Sequence, residues 1–254
     1  MRILCYTPVK SGQLFGRALQ SILRLEWDGQ LDFMFARGGN DHATGTLDQG
    51  AAYIEITRKY NEARQIVLEH GYDALFCVES DMIVPPDALT RLAALDVGVA
   101  YGLYCWRHSD MKWSAYRLVQ GKLGCSLMQE PDARDYWGQV VDVAGVGTGC
   151  TLIRREVIEA IPFRVDPEGY ACCDWYFAED CQVQRVRQMC DMGVVCGHMS
   201  LKPSPRIIWP DRDALVRIEM IDPQWHQMQP GERIEIPVGM MTAVVPGKLV
   251  QNAN

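Results

Sequence analysis

Apolar positions along this chain recur at two periods, and each period marks a kind of element. Residues 2–6 form a short apolar run that predicts a first strand, and Leu14, Ala18, Ile22 and Leu25 then recur at helical spacing. Residues 31–36 alternate as a second strand and run into a turn-rich loop, Arg37-Gly38-Gly39-Asn40-Asp41. Ala52, Ile56, Tyr60, Ala63 and Val67 mark the apolar face of a long helix, with Gly71 placed as its C′ residue. Residues 74–78 are a continuous apolar run suited to a buried strand. Pro86-Asp87 then opens a helix carrying Ala88, Leu89, Leu92 and Ala93.

Further on, the pattern predicts strands at 97–102, 113–119, 140–143 and 151–153, and a helix over 154–161 stopped by Pro162. Gly145, Gly147 and Gly149 suit either a tight turn or the close approach of a bulky ligand. Residues 163–177 read as irregular. Glu179-Asp180 then stands ahead of a helix whose apolar face is Val183, Val186 and Cys190, closed by Gly193. A short strand at 194–196 delivers Gly197-His198. From Lys202 prolines break the chain; 211–219 reads as a helix, and 232–237 with 242–245 as a final hairpin.

The candidate chemistry begins where the 74–78 strand breaks into Glu79-Ser80-Asp81. Two residues apart on an extended chain, Glu79 and Asp81 project to the same side. Such a pair at the end of a buried strand is costly unless a hard divalent cation or backbone N–H groups compensate it. Open α/β sheets bind ligands at that same edge. A plainer alternative is that Asp81 caps a turn before Pro85 while Glu79 is solvated. Arg58 and Asn61 are candidates because their helix leads directly into this strand.

Composition narrows the field. A chain of 254 residues can bury a substantial core, and 48% hydrophobic with 22% charged residues is ordinary for a globular protein. The net charge of −7 argues against broad binding to nucleic acid or an anionic membrane, although Arg154, Arg155, Arg185, Arg187 and Lys202 form a local basic cluster. The N-terminal apolar run is too short for a signal peptide, and no segment is long and apolar enough to span a bilayer. The ten cysteines show no paired C-x-x-C units, so they are expected to be reduced, mostly in the core, in a cytoplasmic protein. No G-x-G-x-x-G or P-loop pattern occurs.

The order of these features is more specific than any one of them. An opening strand ends in Thr7-Pro8, a helix carries Arg58 and Asn61, and Glu79-Ser80-Asp81 stands where a D-x-D motif would. Gly147-Thr148-Gly149, Glu179-Asp180 and Gly197-His198 follow. In this order the chain resembles GT-A glycosyltransferases, especially compact bacterial and phage-type enzymes akin to family 2, over roughly residues 2–200. The resemblance implies an α/β fold of GT-A type, with a mixed, mostly parallel sheet flanked by helices. It places a nucleotide-sugar-binding catalytic domain at 1–200 and a C-terminal extension at 201–254. It also implies Mn²⁺ or Mg²⁺ on the donor diphosphate, held by Asp81 and His198, with Glu79 reaching the metal through water or contacting the ribose. Thr7, Pro8, Arg37, Arg58, Asn61 and Ser80 would surround the nucleotide, a UDP-sugar before a GDP-sugar. Asp180, with Glu179 second, would take the acceptor proton, and Trp106, Thr148, Gly149 and Trp175 would line the sugar and acceptor pocket.

Two other functions use the same residues. A metal-dependent phosphoesterase or nuclease would employ Glu79, Asp81, Asp180 and His198 without a sugar donor, and a sugar-binding module would keep the fold without turnover. The acceptor, whether glycan, lipid, protein or modified DNA base, is not written in the sequence. The C-terminal extension is a candidate to close over the donor, to shape the acceptor site or to pair subunits.

Overall fold

The apolar run at 74–78 becomes a fully buried strand inside a seven-stranded sheet. The computed structural model describes residues 1–9, 15–36, 49–107, 111–119, 122–165, 172–201, 204–221, 244–245 and 248–249. The first half of the chain supplies β1 (Arg2–Pro8), α1 (Gly16–Leu23), β2 (Gln30–Ala36), α2 (Gln49–Glu69), β3 (Ala74–Val78), β4 (Met82–Ile83) and α3 (Ala88–Ala94). Next come β5 (Val99–Leu103), β6 (Ala115–Val119), β7 (Lys122–Ser126), β8 (Val140–Asp142), β9 (Gly145–Val146), β10 (Cys150–Arg154) and α4 (Arg155–Ala160). The last part holds α5 (Cys173–Val183), β11 (Gln188–Val195), β12 (Gly197–Ser200), β13 (Arg206–Asp211) and β14 (Leu215–Met220). A small pair, β15 (Val244–Val245) and β16 (Lys248–Leu249), follows. No helix among the described residues is long and apolar enough to cross a membrane.

The large sheet has the order β2-β1-β3-β10-β5-β11-β8. β1 runs parallel to β2 and β3, and β11 runs parallel to β5. β10 enters antiparallel between β3 and β5. Strands buried on both faces carry continuous apolar runs, which is why β1, β3 and β5 read so plainly in the sequence. Helix α2 ends as expected at Gly71, whose φ of +69° is the left-handed turn that a Cβ disfavours. Arg155 at the start of α4 caps the same end, donating to the carbonyls of Val67, Leu68 and Tyr72. All ten cysteines are free, and eight are buried.

Two expectations need correction, and a third falls mostly outside the described residues. The segment expected to hold a helix after Glu179-Asp180 is divided between α5, which ends at Val183, and strand β11. Arg185, at φ +56°, reverses the chain there without a glycine to announce it, and Val183 of the supposed apolar face is 81% exposed. Residues 211–219 are not helical: the Asp211 carboxylate accepts from the amides of Asp213 and Ala214, closing a turn that leads into β14. Of the expected final hairpin, 232–237 lies outside the described residues, and β15 pairs with β16.

A second sheet, of order β14-β13-β12-β4, crosses the expected domain boundary at residue 200. Met199 and Ile207 share a small apolar cluster, and the indole N–H of the fully buried Trp113 donates to the carbonyl of Leu215 at 2.7 Å. Removing β13 and β14 would therefore open an apolar edge beside the main core. A chain ending at Ser200 is expected to melt well below the full-length protein in a circular-dichroism scan and to bind an apolar dye. Equal melting of the two would make 201–254 a separable appendage.

Candidate metal and donor site

Three residues converge where β3 leaves the sheet. Glu79 follows β3 directly, its amide donating to Gly149 on the neighbouring strand entry at 3.2 Å. The chain then turns, Met82 N–H bonding to Glu79 C=O at 3.0 Å, before β4 begins. Glu79 and Asp81 thus come together through a tight turn rather than through strand alternation. β4 pairs antiparallel with β12, with His198 opposite Met82, and the Met199 amide donates to the Asp81 carbonyl at 2.9 Å. This pairing brings a residue 117 positions away beside Asp81 (198 less 81).

One ligand atom each from Glu79, Asp81 and His198 lies within 4.8 Å of the others. His198 Nδ1 is 2.7 Å from the Cys105 carbonyl, which only accepts, so Nδ1 carries a proton and the ring is fixed with Nε2 facing Asp81. Nε2 is buried without a hydrogen-bond partner and stands 3.7 Å from Asp81 Oδ1. Two carboxylates and a fixed, unpartnered imidazole nitrogen are a donor set that fits a divalent cation, and the Cys105 contact is the outer support such histidines use. Tyr104 packs against the imidazole edge to face, with centroids 5.4 Å apart.

The charges are unevenly balanced. Burial, with Asp81 next to it, pushes the Glu79 carboxyl up to about 8. Burial also opposes ionisation of Asp81, but the charge of Arg107 and the contact with His198 outweigh it and hold that carboxyl low. Arg107 Nη1 is 2.5 Å from Asp81 Oδ2. Sequence reading missed Arg107, because nothing local ties it to a residue 26 positions earlier.

The glycine-rich segment closes the site from another side. A Cβ on Gly147 would lie 2.0 Å from the Tyr104 hydroxyl and 2.9 Å from Asp174 Oδ2, and one on Gly149 would lie 2.9 Å from the Tyr104 ring. The glycines therefore let the protein's own Tyr104 and Asp174 reach this backbone. Thr148 between them is buried.

Asp174, also missed, sits in the first turn of α5, accepting from the Trp175 amide at 2.8 Å. Burial raises its carboxyl, and its charge in turn contributes to the raised Glu79. The signal was present: Cys173, Phe177 and Cys181, spaced four apart, are the buried stripe of α5. Glu179 and Asp180 lie toward the other end of that helix. Asp180 is clasped by Arg164 through two bonds of 2.7 and 2.9 Å, and Glu179 accepts from the Trp175 indole at 3.0 Å.

The other candidates divide. Thr7 and Pro8 end β1, beside β3, and the buried Thr7 hydroxyl has no partner. Ser80 is buried in the turn. Arg58 pairs with Glu55 and Glu62 on α2, and Asn61 exchanges two hydrogen bonds with the backbone of Phe163. Trp106 and Trp175 meet through Tyr116, at ring separations of 5.6 and 5.7 Å. Arg37 lies outside the described residues. In the basic cluster Arg154 pairs with Asp96, Arg155 with Glu159 and Arg187 with Asp142; Lys202 lies outside the described residues.

The sequence matches no protein-family model and no curated protein. Among solved structures the chain is similar to A197 from STIV, at 18% identity over 92% of this chain and 98% of that one, with a TM-score of 0.54. It is also similar to S. aureus TarS 1-349 in complex with UDP-GlcNAc, at 11% identity over 75% of this chain and 56% of that one, with a TM-score of 0.40. At these identities the likeness concerns the fold alone, and the second overlap carries no argument. The mixed, mostly parallel seven-stranded sheet flanked by helices has the α/β architecture that the order of motifs predicts.

Proposed function

We propose that this chain transfers a sugar from a nucleoside-diphosphate donor to an acceptor hydroxyl, with a divalent cation held by Asp81 and His198. The observation that carries this reading is the unpartnered, buried Nε2 of His198 facing Asp81 at the carboxyl edge of the sheet. A bound cation would offset the charge that develops on the departing nucleoside diphosphate. Imidazole beside oxygen ligands suits Mn²⁺ somewhat better than Mg²⁺. Thr7, Pro8 and Ser80 border the nucleotide side, and UDP is the first nucleotide to test.

Asp174 is a better candidate than Asp180 for receiving the acceptor proton. In an inverting transfer the acceptor oxygen bonds to the anomeric carbon as the bond to the diphosphate breaks, and the hydroxyl proton passes to a carboxylate. A carboxylate whose proton affinity burial has raised, facing the Gly147-Thr148 backbone, suits that task. Asp180 is held by Arg164. The Trp106, Tyr116 and Trp175 rings beside these residues suit stacking on the apolar face of a sugar.

Calorimetric titration with UDP, GDP and CDP, each with and without Mn²⁺, tests the donor site. One nucleotide is expected to bind only with Mn²⁺, and Asp81→Ala should abolish that binding while the fold persists. No binding to any of them by folded protein with Mn²⁺ would overturn the reading and favour a phosphoesterase, assayed with a nitrophenyl phosphodiester.

Asp174→Asn should lower the release of nucleoside diphosphate from the donor by about 10²–10⁴-fold, with nucleotide affinity unchanged, the range for losing a general base. Asp180→Asn should leave that rate within a few-fold of wild type. The reverse pattern would return the role to Asp180.

A further inference from the structure

Arg107 is the cationic side chain seen in contact with the three-residue cluster. Its guanidinium sits on Asp81 Oδ2, while Oδ1 of the same carboxylate faces His198 Nε2. Its side chain is 47% exposed, so it can leave Asp81 without opening the core. Arg107 is thus already the counter-charge of the Asp81 carboxylate in the free protein. A divalent cation placed beside that guanidinium adds like charge in a partly desolvated site. A diphosphate is the kind of ligand that would offset it.

From this charge balance we propose that Arg107 makes cation binding conditional on the diphosphate. In the free protein it holds Asp81 and weakens cation binding by repulsion. When a nucleoside diphosphate arrives with the cation, the guanidinium turns from Asp81 to the diphosphate oxygens, and cation and nucleotide each strengthen the other's binding. The inference rests on the donor-site reading above. It differs from an orienting role for Arg107, because loss of an orienting partner weakens metal binding, whereas loss of a repelling charge strengthens it.

The test is Mn²⁺ binding followed by electron paramagnetic resonance, without any turnover. Wild type, Arg107→Gln, Arg107→Ala, Arg107→Lys and the remote surface control Arg187→Gln are titrated alone, with UDP and with uridine, after thermal melts confirm folding. Arg107→Gln and Arg107→Ala are expected to bind Mn²⁺ at least about 10-fold more tightly than wild type without nucleotide, the sign a removed nearby charge dictates. The same variants should lose most of the enhancement UDP gives to Mn²⁺ binding. Arg107→Lys and Arg187→Gln should resemble wild type, and uridine should give no enhancement in any of them. Unchanged or weaker Mn²⁺ binding in both neutral variants, including none detectable in them, would overturn the proposal, as would enhancement by uridine. Failure of wild type to bind any nucleotide with Mn²⁺ would instead overturn the donor-site reading, so the two failures are distinguishable.

Discussion

Two carboxylates at the mouth of a fully buried strand repel each other, and much of the structure around β3 serves to hold that charge in place. Glu79 and Asp81 are fixed by a turn closed between Glu79 C=O and Met82 N–H. The β4–β12 pairing then supplies an imidazole, and a loop after β5 supplies Arg107. Each partner acts through a different property. Arg107 contributes charge, while His198 contributes a ring nitrogen whose direction the Cys105 carbonyl sets. Such a site keeps its ions strongly coupled, because low local polarity strengthens every pairing and every mismatch.

The second sheet depends on the same constraint. β12 carries His198 on one edge pairing and accepts β13 on the other, so the segment after residue 200 braces the strand that presents the imidazole. Trp113 ties that hairpin to the core from the segment just after Arg107. An extension that looked like an accessory is thereby linked to the site through two short paths. The basic residues tell an opposite story. Arg154, Arg155 and Arg187 are matched to acids or to helix-end carbonyls, so these three serve local structure.

How much of this was legible follows from how local each determinant is. The strand at 74–78, the stop at Gly71 and the helix after Pro86 are written in short runs bounded by residues with fixed backbone preferences, and the structure has them where the pattern puts them. Asp81 and His198 were legible only through the order of motifs, since no periodicity relates residues so far apart. The start of α5 was misread because Val183, Val186 and Cys190 mimic a helical stripe across a helix end and a buried strand. That error displaced the acidic helix start from Asp174 to Asp180. Arg107 was illegible, being defined by an ion pair that exists only once the sheet has formed.

The two walls of the site have a common construction. On one, Tyr104, Cys105, Trp106 and Arg107 follow β5 and place, in succession, the ring against His198, the carbonyl that orients it, an indole and the guanidinium on Asp81. On the other, Asp174 and Trp175 open α5 and place a raised carboxyl beside the glycines and a second indole against Tyr116. Charged groups and aromatic faces therefore alternate on short segments, with Trp106 and Arg107 adjacent in the chain. The charged side and the aromatic side of the site are thus one peptide unit apart on this segment.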